Sequence, residues 1–398
     1  MKNYPVISDY NLEQKTVLVR ADLDVPRTEM GTLAHDFRLI ELLPTLYHLQ
    51  KSKCTIILIG HAGNPTLPLS KQEKLFFSHA LLIDWFTQKG FVTFLSRTIE
   101  EAQQCANDNN QALIILENLR FFPQEKKSDP LFSKQLASLG TFFVQEAFAT
   151  LHRFDASITL LPRFFNNNNR AFGFYTHKTL HFLCSVQKNK RTPVTILIGG
   201  AKIATKLVLI EKLLTYATTI VIVPPLCFTF MKAQGIETGT SLVDNTLIPQ
   251  AKKILAQSSL TPCKLMLPSD FLTTKTTFDK PTLPLDHTHT IARDACGISI
   301  GPKTFSTYNA LLKESRTIII NGPLGKKTIP ETAFQMQSLV ESLSACTADY
   351  IIVAGGDTIE AVFSCKPLPH NVTPITGGGA TLTFLAHEQL PGLEAFDT

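Results

Sequence analysis

Short hydrophobic runs alternate with longer segments of helical periodicity along the first half of the chain. Four such runs are residues 17–19, 55–59, 112–116 and 141–144. They show little alternation with polar residues, which is typical of strands buried on both faces of a parallel sheet. Several runs end in polar residues rather than in hairpin turns, so the first half is predicted to consist of βαβ units.

Cations and hydrogen-bonding side chains follow these predicted strands. In open α/β sheets, ligands bind beyond the carboxyl ends of the strands. The residues found after the strands, or at the start of the next helical segment, are Asp22, Asp24, Arg38, His61, Arg120 and Arg153. Any one of these arginines on its own is more often a surface or ion-pair residue. Their shared position after successive strands favours a site for an oxyanion-rich small molecule.

Glycine-rich turns follow the predicted strands of the second half. Hydrophobic runs lead into Gly199-Gly200, Asn321-Gly322, Gly355-Gly356 and Gly377-Gly378-Gly379. Glycines at these positions let the backbone approach phosphate oxygens, which side chains would keep at a distance. Neither GxxxxGK[ST] nor GxGxxG occurs, so the standard P-loop and dinucleotide-binding turns are excluded.

Two lysines follow the first of these turns. Lys202 and Lys206 are four residues apart on a segment of helical periodicity, so both ammonium groups lie on one side of the helix. A strand end, two glycines and a helix N-terminus together form an anion site, for which phosphate is the expected ligand. Taken alone, the stretch could equally be an ordinary turn with two solvated lysines. The other three glycine turns favour the phosphate site.

Length and composition limit the classes of protein. At 398 residues two domains are expected, and residues 178–186, with helical periodicity and no strand partner, are interpreted as a connecting helix. The net charge of +5 is spread out, without the basic clusters of a nucleic-acid-binding surface. No apolar run reaches membrane-spanning length and no signal-peptide core follows the first residues, so a cytoplasmic protein is expected. Eight cysteines lack CxxC spacing, which argues against a zinc site or disulfide framework and favours buried, reduced thiols.

Taken together, these motifs resemble the phosphoglycerate kinase family, in order from about residue 17 to the C-terminus. The segments that carry the resemblance are 116–121 (LENLRF), 199–202 (GGAK), 230–235 (FMKAQG), 300–304 (IGPKT), 321–323 (NGP) and 376–380 (TGGGA). The resemblance implies an α/β protein with two doubly wound parallel-sheet domains joined by a helix. The N-terminal substrate-binding domain would comprise residues 1–170 with about 386–398 returning to it, the connecting helix 171–192, and the C-terminal nucleotide-binding domain 193–385.

The resemblance also implies phosphoryl transfer between ATP and the carboxylate of 3-phosphoglycerate, a step of glycolysis and gluconeogenesis, by a monomer with Mg²⁺ bound to ATP or ADP. By position, Arg38 would stabilise the transferring group at the carboxylate, and Lys206 would contact that group. The substrate-binding residues would be Asp22, Asp24, His61, Arg120 and Arg153. Nucleotide phosphates would be held by Gly199, Gly200, Lys202, Asn321, Gly355, Gly356, Thr358, Gly377, Gly378 and Gly379. Asp357 would coordinate Mg²⁺, which takes most of its ligands from phosphates and water.

Several positions depart from the family pattern. The substrate loop, usually SHLGRP, reads GHAGNP here, so Asn64 replaces an arginine for the substrate phosphate, and Asp24 replaces an asparagine. A triple glycine that lines the adenine slot is replaced by residues 223–225 (VPP), and Thr328 replaces a glutamate that binds the ribose hydroxyls. If the prolines fill the slot, an adenine cannot lie there.

Two hypotheses follow from these departures. The first is a divergent phosphoglycerate kinase that holds ATP mainly through its phosphates or has a shifted nucleotide preference. The second is a catalytically impaired or respecified paralogue that acts as a binding or regulatory protein. Retention of Arg38, both lysines, Asp357 and the glycine turns favours the first.

Overall fold

The computed structural model describes residues 4–397, apart from 29, 279, 282, 284, 327, 364–367 and 388. The chain divides into two compact units. The N-unit covers the described residues of Met1–Cys184 and Gln389–Thr398, and the C-unit covers those of Ser185–Glu388. Each unit is built around one six-stranded sheet.

The N-unit contains six strands and eight complete helices, with a further helix crossing into the C-unit. Its strands are β1 (Thr16–Ala21), β2 (Thr55–Ile59), β3 (Thr93–Ser96), β4 (Leu113–Leu116), β5 (Phe142–Glu146) and β6 (Arg170–Phe172). Its helices are α1 (Phe37–Lys51), α2 (Lys71–Phe77), α3 (Leu82–Gln88), α4 (Ile99–Asp108), α5 (Pro123–Lys126), α6 (Pro130–Ala137), α7 (Ala156–Thr159) and, near the C-terminus, α16 (Pro391–Glu394). Helix α8 (Phe174–Lys188) contains the boundary between the units.

The N-unit sheet is parallel and has the order β3-β4-β2-β1-β5-β6. Alternate residues of β1 enter different cores: Val17 and Val19 pack on one face, and Leu18 packs on the other. Both faces are therefore covered, which explains the continuous hydrophobic runs. From β1 the chain adds β2, β3 and β4 on one side of the sheet, and then crosses over to add β5 and β6 on the other side of β1. The carboxyl ends of β1 and β5 thus form a topological switch point, where ligands of such sheets bind.

The C-unit repeats this plan. Its parallel strands are β7 (Val194–Ile198), β8 (Thr219–Ile222), β9 (Lys264–Met266), β13 (Thr317–Asn321), β14 (Tyr350–Ala354) and β15 (Val372–Ile375). A separate antiparallel sheet consists of β10 (Phe271–Thr274), β11 (Asp286–Thr288) and β12 (Cys296–Ile300). The helices are α9 (Ile203–Leu213), α10 (Leu226–Ala233), α11 (Ile248–Ser258), α12 (Pro302–Glu314), α13 (Pro330–Ser344), α14 (Gly356–Phe363) and α15 (Gly378–Leu385).

The order of the C-unit sheet is β15-β14-β13-β7-β8-β9. From β7 the chain first builds outward through β8 and β9, and then returns to add β13, β14 and β15 on the other side. The switch point therefore lies between β7 and β13, the strands that lead into Gly199 and Gly322. The predicted fold class, two doubly wound parallel-sheet units, is confirmed.

Several elements differ from the sequence prediction. The helix expected over residues 171–192 begins only at Phe174, because Arg170–Phe172 pairs with β5 as the edge strand β6. The hydrophobic pattern did not single out β3, β8, β9 or the antiparallel sheet. Most of these strands are short or only partly buried, and the five buried residues of β12 include Gly297 and Ser299, which interrupt its hydrophobic run.

The C-terminal segment returns to the N-unit, as the sequence predicted. The backbone N–H of Gly392 donates to Leu151 O at 2.9 Å, and Arg170 Nη1 donates to Ala395 O at 2.9 Å. The rings of Phe396 and Phe172 stack with centroids 4.2 Å apart. Residues 388 and 398 of this segment lie outside the described residues.

The state of the cysteines and the character of the helices bear on two expectations from the sequence. The described cysteines are free thiols, mostly buried, and Cys365 lies outside the described residues. Among the helices that the structure describes, none combines the length and apolar character required to span a bilayer.

Candidate active site

The predicted substrate residues of the N-unit lie at the carboxyl end of its sheet. Asp22 follows β1, His61 follows β2, and Arg120 lies in a short 3₁₀ turn after β4. Arg38 is the second residue of α1, and Arg153 follows β5. Parallel strands bring these loops to one edge, which is why His61 and Arg153, 92 positions apart in the sequence, form a contact there.

Arg38 and Asp22 form an ion pair at this edge. Nη1 of Arg38 donates to Oδ1 of Asp22 at 2.7 Å, and both side chains are largely buried. Burial opposes the charged form of Arg38, but the charges of Asp22 and Asp24 outweigh it and raise the pKa of Arg38. Among the described residues, Nε of Arg38 and Oδ2 of Asp22 have no hydrogen-bond partner. The guanidinium therefore keeps donors that an anionic ligand can accept.

His61 connects two arginines. Its Nδ1 lies 3.1 Å from Nη2 of Arg20, and its Nε2 lies 2.8 Å from Nη1 of Arg153. Burial, together with Arg20 and Arg153, lowers the pKa of His61 well below its usual value, so the ring is neutral at physiological pH. Arg20 was not among the predicted site residues, although it directly follows the hydrophobic run 17–19; in the structure it is the fifth residue of β1.

A second residue missed by the sequence reasoning is Asn118. Its Oδ1 accepts from the backbone N–H groups of Ala62 at 3.1 Å and Arg120 at 3.0 Å, and its Nδ2 donates to Ala62 O at 2.8 Å. This side chain therefore joins the loops after β2 and β4. The sequence feature that could have identified Asn118 as a site residue is its position within the LENLRF segment, residues 116–121. Arg120 in turn donates from Nη2 to Oδ2 of Asp155 at 2.7 Å.

Asp24 has a structural contact in the substrate loop. Its Oδ1 accepts from the backbone N–H of Gly63 at 2.7 Å, and its Oδ2 lies 3.9 Å from Nε2 of His61. The carboxylate thus holds the loop after β2 beside the arginine cluster. The two acidic residues predicted for this site, Asp22 and Asp24, both lie within the cationic group rather than apart from it.

In the C-unit, backbone groups meet at the switch point between β7 and β13. The N–H of Gly199 donates to Asn321 O at 3.0 Å, and the N–H of Gly322 donates to Oγ1 of Thr358 at 2.9 Å. Gly322 has a φ of +142°, and a Cβ there would lie 2.6 Å from the backbone N of Gly199. Glycine is required because the two turns approach within backbone contact.

Asn321 links the other two glycine turns. Its Nδ2 donates to Ala354 O at 2.6 Å, and a Cβ on Gly378 would lie 2.1 Å from that nitrogen. Gly355, with a φ of +100°, begins the turn into α14, and Gly377 precedes α15. The described partners leave Oδ1 of the buried Asn321 side chain without a hydrogen bond. The predicted glycine turns therefore meet around one amide.

Lys206, Lys202 and Asp357 supply charge beside these turns. Lys202 is exposed at the N-terminus of α9, Lys206 is half-buried one turn later, and Asp357 is exposed in the first turn of α14. Burial lowers the pKa of Lys206 to about 8, with Lys202 acting in the same direction and Asp357 opposing it. An anion bound here would restore the ammonium form.

Comparison with known proteins adds to this geometry. The family model described as phosphoglycerate kinase matches residues 7–388. The chain belongs to the phosphoglycerate kinase family. The phosphoglycerate kinase of Prosthecochloris aestuarii is 33% identical over 397 residues, with 98% of each chain covered. That of Fusobacterium nucleatum is 33% identical over 399 residues, again with 98% of each chain covered.

Solved structures of phosphoglycerate kinases resemble this chain over almost its whole length. The enzyme from Coxiella burnetii superposes with a TM-score of 0.75 at 26% sequence identity, covering 99% of each chain. The one from Pyrococcus horikoshii superposes with a TM-score of 0.81 at 24% identity, covering 98% of each chain, and at that identity the likeness concerns the fold.

The departure from the phosphoglycerate kinase pattern at residues 223–225 has a structural consequence. All three residues are buried between β8 and α10. Val223 packs against the Gly199-Gly200 turn, since a Cβ on Gly199 would lie 2.4 Å from Cγ2 of Val223. The segment therefore offers almost no surface on which a purine base could lie.

Proposed function

We propose that this protein transfers a phosphoryl group between ATP and the carboxylate of 3-phosphoglycerate. The observation that carries the proposal is the pair of complementary sites: an arginine and histidine cluster at the switch point of the N-unit, and a set of glycine turns with two lysines at the switch point of the C-unit. One suits a small carboxylate and phosphate compound, and the other suits a nucleotide.

The N-unit site holds the glycerate substrate. Arg38 lies with Asp22 at the start of α1, where its remaining donors bind the reacting carboxylate and stabilise charge on the transferring group. His61, Arg120 and Arg153 position the rest of the molecule. The site has no requirement for a nucleophile, because phosphoryl transfer depends on positioning and charge neutralisation.

The C-unit site holds the nucleotide through its phosphates. Gly199, Gly200 and Lys202 bind along the start of α9, and Lys206 contacts the group that moves. The remaining members of the phosphate site are Asn321, Gly355, Gly356, Thr358, Gly377, Gly378 and Gly379. Because residues 223–225 are buried, the base contributes little to binding.

Magnesium fits this site as a partner of the nucleotide. Asp357 is an exposed carboxylate in the first turn of α14, next to the glycine turns. No group of three or more acidic, histidine or cysteine ligands is found among the described residues, so the protein offers no closed metal cage. A single carboxylate suits Mg²⁺, which keeps water and phosphate ligands and, when bound, neutralises charge on the phosphates.

The assembly and location follow the family expectation. We propose a cytoplasmic monomer in which residues 1–170 with about 386–398 bind the glycerate and residues 193–385 bind the nucleotide, joined through 171–192. Nothing in the described geometry or in the comparisons favours the alternative of an impaired or respecified paralogue with a binding or regulatory role.

A coupled assay with ATP, Mg²⁺ and 3-phosphoglycerate tests the proposed function. We expect turnover that Arg38→Ala reduces by at least about a hundredfold, the scale of one lost transition-state donor. Wild-type turnover no greater than that of the Arg38→Ala variant would reject the proposal. Calorimetric titration with 3-phosphoglycerate and with MgATP separately would then show which of the two sites does not bind its substrate.

A further inference from the structure

The loop after β2 contains a cationic contact that the sequence did not reveal. Asn64 lies in this loop, where the family pattern has an arginine. Its side-chain Oδ1 accepts a hydrogen bond from Nζ of Lys126, a residue 62 positions further along the chain. An ammonium group therefore reaches the place that the guanidinium would occupy.

The backbone beneath Lys126 is held in position. Its neighbour Glu125 is fully buried in α5 and accepts from Ser157 twice, from the backbone N–H at 3.0 Å and from Oγ at 2.6 Å. Ser157 Oγ also accepts from Nε of Arg20 at 2.8 Å. The short helix that carries Lys126 is thus tied to the same network that holds Arg20 and His61.

Lys126 differs from the site arginines in its charge balance. Arg38 and Arg120 each have a carboxylate partner at 2.7 Å. Lys126 is exposed, and among the described residues no carboxylate lies within ion-pair distance of it. Its contact with the Asn64 amide oxygen uses one of three N–H donors and leaves the positive charge uncompensated.

We propose that Lys126 and Asn64 together bind the phosphate group of the glycerate substrate. This inference rests on the proposed function. It names the residues that make the N-unit site specific for a phosphorylated acid. Lys126 supplies the charge and two remaining N–H donors, and the Nδ2 group of Asn64 adds further donors beside it. The lysine thereby takes over the role that an arginine at position 64 would have.

Calorimetry with two probes tests the proposal: 3-phosphoglycerate, and glycerate, which lacks the phosphate. We expect Lys126→Ala to weaken binding of 3-phosphoglycerate about tenfold or more, as for loss of one charge-assisted hydrogen bond. Binding of glycerate and the KM for MgATP should stay unchanged. Lys127→Ala, which removes the adjacent exposed lysine, is the matched control and should leave all three values as in the wild type.

A second experiment moves the positive charge from position 126 to position 64. Adding Asn64→Arg to the Lys126→Ala variant should restore 3-phosphoglycerate binding to within about threefold of the wild type. The inference is overturned if Lys126→Ala binds 3-phosphoglycerate as the wild type does, or if it loses glycerate and 3-phosphoglycerate equally. A wild type that does not bind 3-phosphoglycerate would instead reject the proposed function, and this inference with it.

Discussion

Nη1 of Arg153 lies 2.8 Å from Nε2 of His61, while the opposite ring nitrogen already faces Arg20 at 3.1 Å. A neutral imidazole has one N–H and one acceptor nitrogen, so it can accept from only one of the two guanidinium groups. We assign the acceptor to Nε2, because its contact is the shorter one and because Arg20 also donates to Oγ of Ser157 and to Ala21 O. Arg153 then uses one of its five N–H donors on His61 and keeps the others for a ligand.

This assignment predicts different effects for the two arginines. Arg153→Ala should weaken 3-phosphoglycerate binding about tenfold or more but lower the free energy of unfolding by no more than about 1.5 kcal/mol, the net contribution of one hydrogen bond. Arg20→Ala should lower the free energy of unfolding by about 3–5 kcal/mol, because it removes the hydrogen bonds to Ser157 and Ala21 and the charge that favours the buried Glu125 carboxylate. Calorimetry and urea unfolding measure the two quantities. Equal destabilisation by both substitutions would show that Arg153 is structural.

The pKa of Lys206 predicts a pH dependence of nucleotide binding. Since burial lowers this pKa to about 8, the free protein loses the Lys206 charge as the pH rises through that value. ADP affinity should then fall by up to about tenfold per pH unit, because binding must restore the proton. Lys206→Arg keeps its charge over this range. Calorimetric titrations should give a flat profile for this variant; parallel profiles for both proteins would contradict the assignment.

Gly322 should be intolerant of a side chain. With a φ of +142° and a Cβ 2.6 Å from the backbone N of Gly199, alanine forces the β7 and β13 turns apart. We expect Gly322→Ala to lower the free energy of unfolding by about 2 kcal/mol or more and to weaken ADP binding. Gly90→Ala is the control, since Gly90 has a φ of +88° but open space around it. Backbone strain in Gly90→Ala should lower the free energy of unfolding by about 1 kcal/mol, and ADP binding should stay unchanged.

Burial of residues 223–225 predicts weak discrimination between nucleotide bases. If binding depends on the phosphates, then the dissociation constants of MgATP, MgGTP and MgITP should agree to within about threefold, less than the effect of one specific hydrogen bond. Competition titrations against one fluorescent nucleotide measure this directly. A preference for ATP of a hundredfold or more would show that a base pocket exists elsewhere in the C-unit.

His79 predicts part of the acid sensitivity of the protein. Burial lowers its pKa from 6.5 to about 4, and its Nδ1 lies 2.9 Å from Leu116 O. Between those values the unfolded chain binds the additional proton, so the free energy of unfolding falls as the pH decreases from 6.5 toward 4. The buried carboxyls of Glu125 and Glu146, whose pKa values are raised, oppose this trend.

The contribution of His79 can be isolated with His79→Asn, whose side-chain Nδ2 takes the place of the imidazole Nδ1 and can still donate to Leu116 O. Urea unfolding at several pH values should show a slope against pH that is reduced by up to about 1.4 kcal/mol per unit, the effect of one proton. Because both glutamates are unchanged, the difference between the two slopes reports His79 alone. Identical slopes would mean that the pKa of His79 is the same in the folded protein as in the unfolded chain.

The sequence by itself determined the fold class and predicted the residues of the proposed phosphate site. Uninterrupted runs such as those of β1 and β13 identify strands buried on both faces, and the glycines that follow β7, β13 and β14 mark turns where backbone groups approach one another closely. These signals are local, because periodicity and backbone freedom depend on neighbouring residues. Short strands with little burial, such as β9, carry too few residues for the pattern to show.

Only the tertiary structure decided which distant residues meet. The order β3-β4-β2-β1-β5-β6 inserts β4 between two strands that precede it, and no periodicity encodes this neighbour relation. Strand order places Arg20 against His61 and Lys126 against Asn64, and packing between β8 and α10 buries residues 223–225. Such contacts arise from the packing of whole elements. The effect of having asparagine instead of arginine at position 64 can therefore be inferred only from the structure, in which Lys126 contacts Asn64.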